Sequence, residues 1–309
     1  MPAIVLILAC NLVAVGEPSP SVVAPGAKLE KVWGGGTFTE GPAEASDGAI
    51  LFSDIGDRIM RFDPSTGETK VFREPSGRSN GLMFDLQGRL IAAEGANTGG
   101  GRRLAIVGAD GRAPTLVDRF EGKRFNSPND LTIDARGRIY FSDPRYVGDE
   151  PREIDVEGVY RVDPDGRVER LQVGTSRPNG LAVSPDGKTL YVADSGREGF
   201  RRLLALSLDR DGRTTKPRPI KHFGVGRGID GMTVTADGKV VVAASSGPLA
   251  GVYVYEPDGT PVGFIGTPED PTNVEFAGPD RSTLYITAGT GLYRIATTLK
   301  GHRARPAPG

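Results

Sequence analysis

One pattern recurs six times along the chain and limits the folds open to it: a polar head residue, an apolar run, a glycine turn, and a second apolar run ending in an acid or a small residue. The copies are EGPAEASDGAILFSD from Glu40, NGLMFDLQGRLIAAE from Asn80, NDLTIDARGRIYFSD from Asn129, NGLAVSPDGKTLYVAD from Asn179, DGMTVTADGKVVVAA from Asp230 and a degenerate NVEFAGPDRSTLYITA from Asn273. In the first five a glycine stands eight residues after the head, at Gly48, Gly88, Gly137, Gly187 and Gly238. Each copy is followed by two more strand-like runs around another turn, as in GVYRVDPDGRVERLQ and GVYVYEPDGTPVGFI. Asp-Gly turns tolerate the positive φ that tight hairpins require. No long segment carries a helical period.

The heads lie 40 to 51 residues apart, and four antiparallel strands in such a period make a propeller blade. The expected fold is therefore all-β, a six-bladed β-propeller over residues 29–298. A two-sheet sandwich is the other all-β option, but it leaves six repeat heads unexplained. The sixth copy lacks an outer strand, and the run LEKVW at 29–33 is placed to supply it and close the ring.

A chain of 309 residues can bury a large core without staples. Cys10 is the single cysteine, so no intrachain disulfide forms, and two histidines, His222 and His302, exclude a multi-His zinc site. With 38 basic and 39 acidic residues the chain lacks the positive excess of a nucleic-acid or anionic-membrane binder. Residues 1–16 are apolar and end in Ala14-Val15-Gly16, the pattern of a secretory signal. The run is shorter than the ~20 residues of a membrane span. These features predict a periplasmic or secreted monomer with a linker at 17–28 and a disordered tail at 299–309.

In a propeller the first strand of each blade lines the central channel, so the six heads should converge at one mouth. They are Glu40, Asn80, Asn129, Asn179, Asp230 and Asn273, two carboxylates and four amides. Any one of them could be an ordinary turn residue. As a set they suit a hard dication, which takes six to eight oxygen ligands. The expected cofactor is one divalent cation, calcium first, with magnesium, manganese or zinc as alternatives.

EGPAEASDGAILFSD, SNGLMFDLQGRLIAAE, GKRFNSPNDLTIDARGRIYFSDPRY, PNGLAVSPDGKTLYVADS and DGMTVTADG, in that order, resemble the gluconolactonase/regucalcin family, in particular its bacterial gluconolactonase branch. The resemblance implies hydrolysis of a sugar lactone at one divalent metal. It implies metal ligands Glu40, Asn179 and Asp230, proton transfer by Asp230, and substrate contact by Asn129. Asn80 and Asn273, the other amide heads, are further candidates for substrate contact. Three departures stand out: Ser127 where the regucalcin-like branch has an arginine, Gly95 after Glu94 where the gluconolactonase branch has a histidine, and Thr235 where many members have an aspartate. An arylesterase or phosphotriesterase on the same metal, a non-catalytic sugar-binding propeller and a strictosidine-synthase-like propeller are the rival readings.

Other residues have plainer expectations. Asp54, Glu94, Asp143 and Asp194 close second strands and should accept turn hydrogen bonds. Asp130 should order the heads from behind, and Tyr146 could rim the pocket. His222 should be structural, and Arg102-Arg103 should start a strand rather than clamp a carboxylate.

Overall fold

The computed structural model describes residues 22–97, 99–196, 201–224 and 226–305. Six four-stranded antiparallel sheets follow one another along the chain. Their innermost strands are Thr39–Glu44, Ser79–Phe84, Leu131–Ile133, Pro178–Val183, Ile229–Val234 and Pro271–Ala277. In the first five blades the strand order in space is the order in sequence. The sixth is completed by Glu30–Gly34, which pairs antiparallel with Gly291–Ala296, Glu30 opposite Arg294 and Trp33 opposite Leu292. The run at 29–33 thus closes the ring as expected. A two-stranded ribbon, Arg119–Phe120 with Lys123–Arg124, is an addition outside the blades.

The core is six wedges, one between each pair of neighbouring blades. Leu51 and Ile59 of blade 1 pack on Leu82 and Ala92 of blade 2. Phe125, Phe141 and Tyr160 of blade 3 meet Ile91 and Leu104 of blade 2. The last wedge joins Phe52 and Phe62 of blade 1 to Tyr285 and Leu292 of blade 6. A blade is therefore covered on both faces. That is why second strands such as Ile50–Asp54, Leu90–Glu94 and Val240–Ala244 are buried at every position, and why they read as continuous apolar runs rather than alternating ones.

Two expectations about the ends are corrected. Val22 and Val23, inside the expected linker, are buried in the wedge between blades 5 and 6, and Val23 bridges Thr297. Residues 299–305, expected in a disordered tail, run across the far mouth of the channel. Leu299 is buried, Gly301 bridges Thr235, and the His302 N–H donates to the Val234 carbonyl. Gly301 lies flat on Phe276, where an added Cβ would come within 2.1 Å of the Phe276 Cβ. Arg281 locks this strap to the rim, donating to Glu44 at 2.8 Å and to the His302 carbonyl at 3.2 Å. The expected signal, residues 1–16, lies outside the described residues, among which no helix is long and apolar enough to cross a membrane.

Truncation after Thr298 should uncover Phe276 and remove Leu299 from the core. At 1.5–3 kcal/mol for a large buried apolar side chain, it should cost about 2–3 kcal/mol, read as a lower guanidinium unfolding midpoint.

Candidate functional site

In blades 1, 2, 4 and 5 the head is aimed by a local irregularity at the start of the inner strand. In blade 1, Thr39 and Glu40 pair with Asp54 and Ser53, the register then slips, and pairing resumes at Ala43 with Leu51. Blades 2, 4 and 5 slip at the same place, between Ser79 and Leu82, Pro178 and Leu181, and Ile229 and Met232. A bulge of this kind turns a side chain out of the sheet plane, here toward the axis. The residue after the head is glycine in all four because neighbouring strands nearly touch there. A Cβ on Gly180 would lie 2.2 Å from the Asp230 carbonyl oxygen, and one on Gly41 would lie 2.4 Å from that of Asn80.

The loops leading into the heads are held by the acids that close the second strands. Asp54 accepts the N–H groups of Thr37 and Phe38 at 2.8 and 3.3 Å. Asp143 accepts those of Asn126 and Ser127 at 2.8 and 2.6 Å, and Asp194 those of Ser176 and Arg177 at 3.1 and 3.4 Å. In blade 2 the work is divided: Asp57 accepts from Ser76 and Arg78, while Glu94 pairs with Arg73 and Arg103 at 2.8 and 2.6 Å. Asp54, Asp143 and Asp194 thus make the expected loop hydrogen bonds, whereas Glu94 is held by arginine ion pairs instead.

Glu40, Asn80, Asn129, Asn179 and Asp230 come together in one cavity of about 520 Å³ at this mouth. Asn179 donates from Nδ2 to Asp230 Oδ1 at 2.7 Å. Asp230 Oδ2 is paired with the Arg227 guanidinium. Glu40 accepts the N–H of Gly41 at 3.1 Å. Among the described residues the buried Asn80 Oδ1 finds no hydrogen-bond partner. Burial pushes Glu40 well above the usual carboxylate range, and the negative charges of Asp230 and Asp130 push it further, against the pull of Arg227. Burial also raises Asp230, against Arg227 and Asn179. Among the described residues no group of three or more His, Cys, Asp or Glu side chains is arranged for a metal. Any cation here would be held by two carboxylates working with amides.

Asn273 is not part of this cup. Pro271 pairs with Ala288 as Thr39 pairs with Asp54, so the residue in the head register of blade 6 is Thr272. Thr272 is fully buried and donates its hydroxyl to the Thr39 carbonyl at 2.7 Å. Asn273 takes the register of the glycines, as does Asp130 in blade 3. The two residues come from opposite sides of the ring and are hydrogen-bonded to each other across the axis. Burial pushes Asp130 up to about 7. This pair floors the cup, and Asn273, expected to contact substrate, lies below the cavity lining rather than in it.

Thr235 sits at the opposite end of its strand, where its hydroxyl accepts the Lys239 N–H at 2.8 Å. Asp85 makes the same bond to Arg89 at 2.8 Å in blade 2, so this departure concerns a turn. Ser127 and Gly95 touch: the Ser127 hydroxyl accepts the Ala96 N–H at 2.8 Å, and a Cβ on Gly95 would meet it at 3.0 Å. Both line the cavity and leave that wall low. Arg102 is buried, bonding the Phe125 carbonyl at 2.8 Å, and Arg103 starts a strand. His222 is exposed on an outer strand. Tyr146 does line the cavity. Sequence reasoning missed four arginines of the lining, Arg78, Arg177, Arg201 and Arg227. Arg78 and Arg177 stand two residues before their heads, a spacing visible in SNG and PNG.

A six-bladed propeller with an acid-and-amide cup at one channel mouth defines a small-molecule site. The chain belongs to the family described as SMP-30/Gluconolactonase/LRE-like region, which it matches over residues 38–290. It is 32% identical over 292 residues to a gluconolactonase of Zymomonas mobilis, covering 85% of this chain and 80% of that one. A solved gluconolactonase of Xanthomonas campestris superposes with a TM-score of 0.80 at 32% identity, over 89% of this chain and 91% of that one. A regucalcin of Agrobacterium tumefaciens, described as calcium-binding, shares the fold at 22% identity, with a TM-score of 0.73 over 89% of this chain and 94% of that one.

Burial pushes Asp143 up to about 7 despite its two N–H donors. The folded protein therefore keeps this proton to higher pH than the unfolded chain. The stability it contributes is present below about pH 4 and is lost as pH rises toward 7. In Asp143→Asn the unfolding midpoint should change less between about pH 4 and pH 8 than in the parent, as denaturant titrations at the two ends of that range would reveal.

Proposed function

We propose that this lactonase opens a sugar lactone with the help of one divalent cation held by Glu40, Asn179 and Asp230, calcium ahead of magnesium, manganese or zinc. The observation that carries the reading is the pairing of two buried carboxylates with an unsatisfied amide oxygen, Asn80 Oδ1, in one cavity. A buried ionised carboxylate is costly unless a cation compensates it. Glu40 and Asp230 raise each other's cost, and a dication between them would remove it. The donors are all oxygen, the chemistry of a hard ion. Asn179 would contribute its carbonyl oxygen after its amide turns from the present bond to Asp230, and Arg227 would give up part of its hold on the same carboxylate.

A dication in this cup supplies a positive charge that polarises the lactone carbonyl and lowers the pKa of a nearby water. The remaining work belongs to the chain. Asp230 accepts the proton of the attacking water and returns it to the ring oxygen as the ester bond breaks. Asn80 and Asn129, on neighbouring blades, face ring hydroxyls and fix the plane of the sugar. Tyr146 and Phe38 give the mouth two apolar walls. The Asp130–Asn273 floor keeps the reacting group at the mouth and separates it from the rest of the channel.

Asp230→Asn keeps the shape and removes the base, so kcat should fall by about 10²–10⁴-fold, the usual worth of a positioned proton acceptor. Glu40→Gln should weaken cation affinity in a calorimetric titration. Protein stripped with a chelator should regain turnover of glucono-1,5-lactone when calcium is added. Unchanged turnover after stripping would refute the metal; unchanged turnover in Asp230→Asn would refute the base.

A further inference from the structure

Among the described residues, the charged groups lining the cavity are Glu40, Asp230 and the four arginines Arg78, Arg177, Arg201 and Arg227. Carboxylates from outside the lining that meet these guanidiniums include Glu157, which Arg177 shares with Arg152, and Asp270, 3.8 Å from Arg227. Two of the guanidiniums lie over aromatic faces at the rim, Arg177 5.1 Å from the Tyr146 ring and Arg227 5.8 Å from that of Phe38. Stacking of this kind holds a guanidinium in place, here with Arg177 also bonded through Nε to Glu157 and Arg227 paired with Asp230. Arg201 is anchored through backbone carbonyls, those of Gly226 and Gly196, which fix its position without cancelling its charge.

With a dication balancing Glu40 and Asp230, the pocket as a whole is cationic. A neutral aldonolactone makes little use of that field, because its hydroxyls need acceptors and dipoles that the amide heads already provide. A substrate with an anionic group at the end away from its lactone carbonyl would use both halves of the site. Its carbonyl would sit on the acid-and-amide cup and its anion among the arginines. The low wall at Gly95 and Ser127 leaves room for the extra group. Arg78 and Arg177, on the blades flanking Ser127, put guanidiniums on either side of that gap.

Resting on the lactonase reading, we infer that the preferred substrate is a sugar lactone carrying a second, anionic substituent, a phosphate, sulfonate or carboxylate, recognised by Arg78, Arg177, Arg201 and Arg227.

The test compares kcat/KM of the metal-loaded protein for glucono-1,5-lactone, its 6-phosphate and the lactone of glucaric acid. One anionic lactone at least should be preferred by about tenfold, the worth of one or two charge-assisted hydrogen bonds. The preference should shrink as salt rises from about 50 to about 500 mM, because the arginines are only half-buried and screening reaches them. Arg201→Gln should reduce the ratio between anionic and neutral lactone, and Arg201→Lys should restore part of it. The lysine variant also guards against a glutamine variant that misfolds. Calorimetric titration of the chelator-stripped protein with 6-phosphogluconate and with gluconate supplies a readout apart from turnover, and the phosphate should bind more tightly. Turnover of the neutral lactone equal to or better than both anionic ones overturns the inference and leaves the lactonase reading intact. Absence of turnover with every lactone sinks that reading, and the titration then decides the anion site alone: equal affinity for the two acids, or none for either, overturns it.

Discussion

The structure depends on how closely six strands can approach one axis. At the level of the heads the gap between neighbouring inner strands is too small for a Cβ, as the 2.2 Å approach at Gly180 shows. Glycine after the head, with the bulge it permits, lets the strands close up and turns the head side chains inward. Where glycine is replaced, by Asp130 and Asn273, the larger side chains have only the axis itself to occupy, and they meet there. The floor of the cup and its polar wall thus follow from one steric rule, satisfied in two ways.

Crowding of that kind leaves carboxylates with little water. Glu40, Asp130 and Asp230 are all buried near the same axis, and each is pushed upward by burial. The protein answers with a guanidinium on Asp230 and amides around the rest. A site that is short of positive charge at its base and rich in it at its rim is polarised along the channel. That polarity orients a ligand before any single hydrogen bond forms.

Most of this was legible in the chain. Blades burying both faces of their sheets leave unbroken apolar runs, and the head-to-glycine spacing repeats because the same hairpin repeats. The heads Glu40, Asn80, Asn129, Asn179 and Asp230 could be found by that spacing. Asn273 was misread because the sixth copy was aligned on its asparagine, whereas the backbone register, set by the pairing of Pro271 with Ala288, makes Thr272 the head. The arginines are not legible in the sequence because Arg78, Arg177 and Arg227 stand in loops before the heads and Arg201 opens a strand of blade 4, and neither position shows which way a side chain turns. The strap at 299–305 reads as a tail in the sequence, because its composition is mostly polar. Its order comes from Phe276 and Arg281, partners supplied by tertiary contact alone.

Ring closure carries a consequence for how the protein is made. The strand Glu30–Gly34 finds its partner only in Gly291–Ala296, and Val22 and Val23 pack beside Leu299. During synthesis the earliest of these segments must wait, unpaired, while the five intervening blades emerge. Blade 6 then forms from both ends of the described chain at once. Until it does, blades 1 and 5 each present an uncovered apolar face, Phe52 and Phe62 on one side and Val241 and Val254 on the other. Nascent intermediates therefore carry a sticky seam that the finished molecule hides.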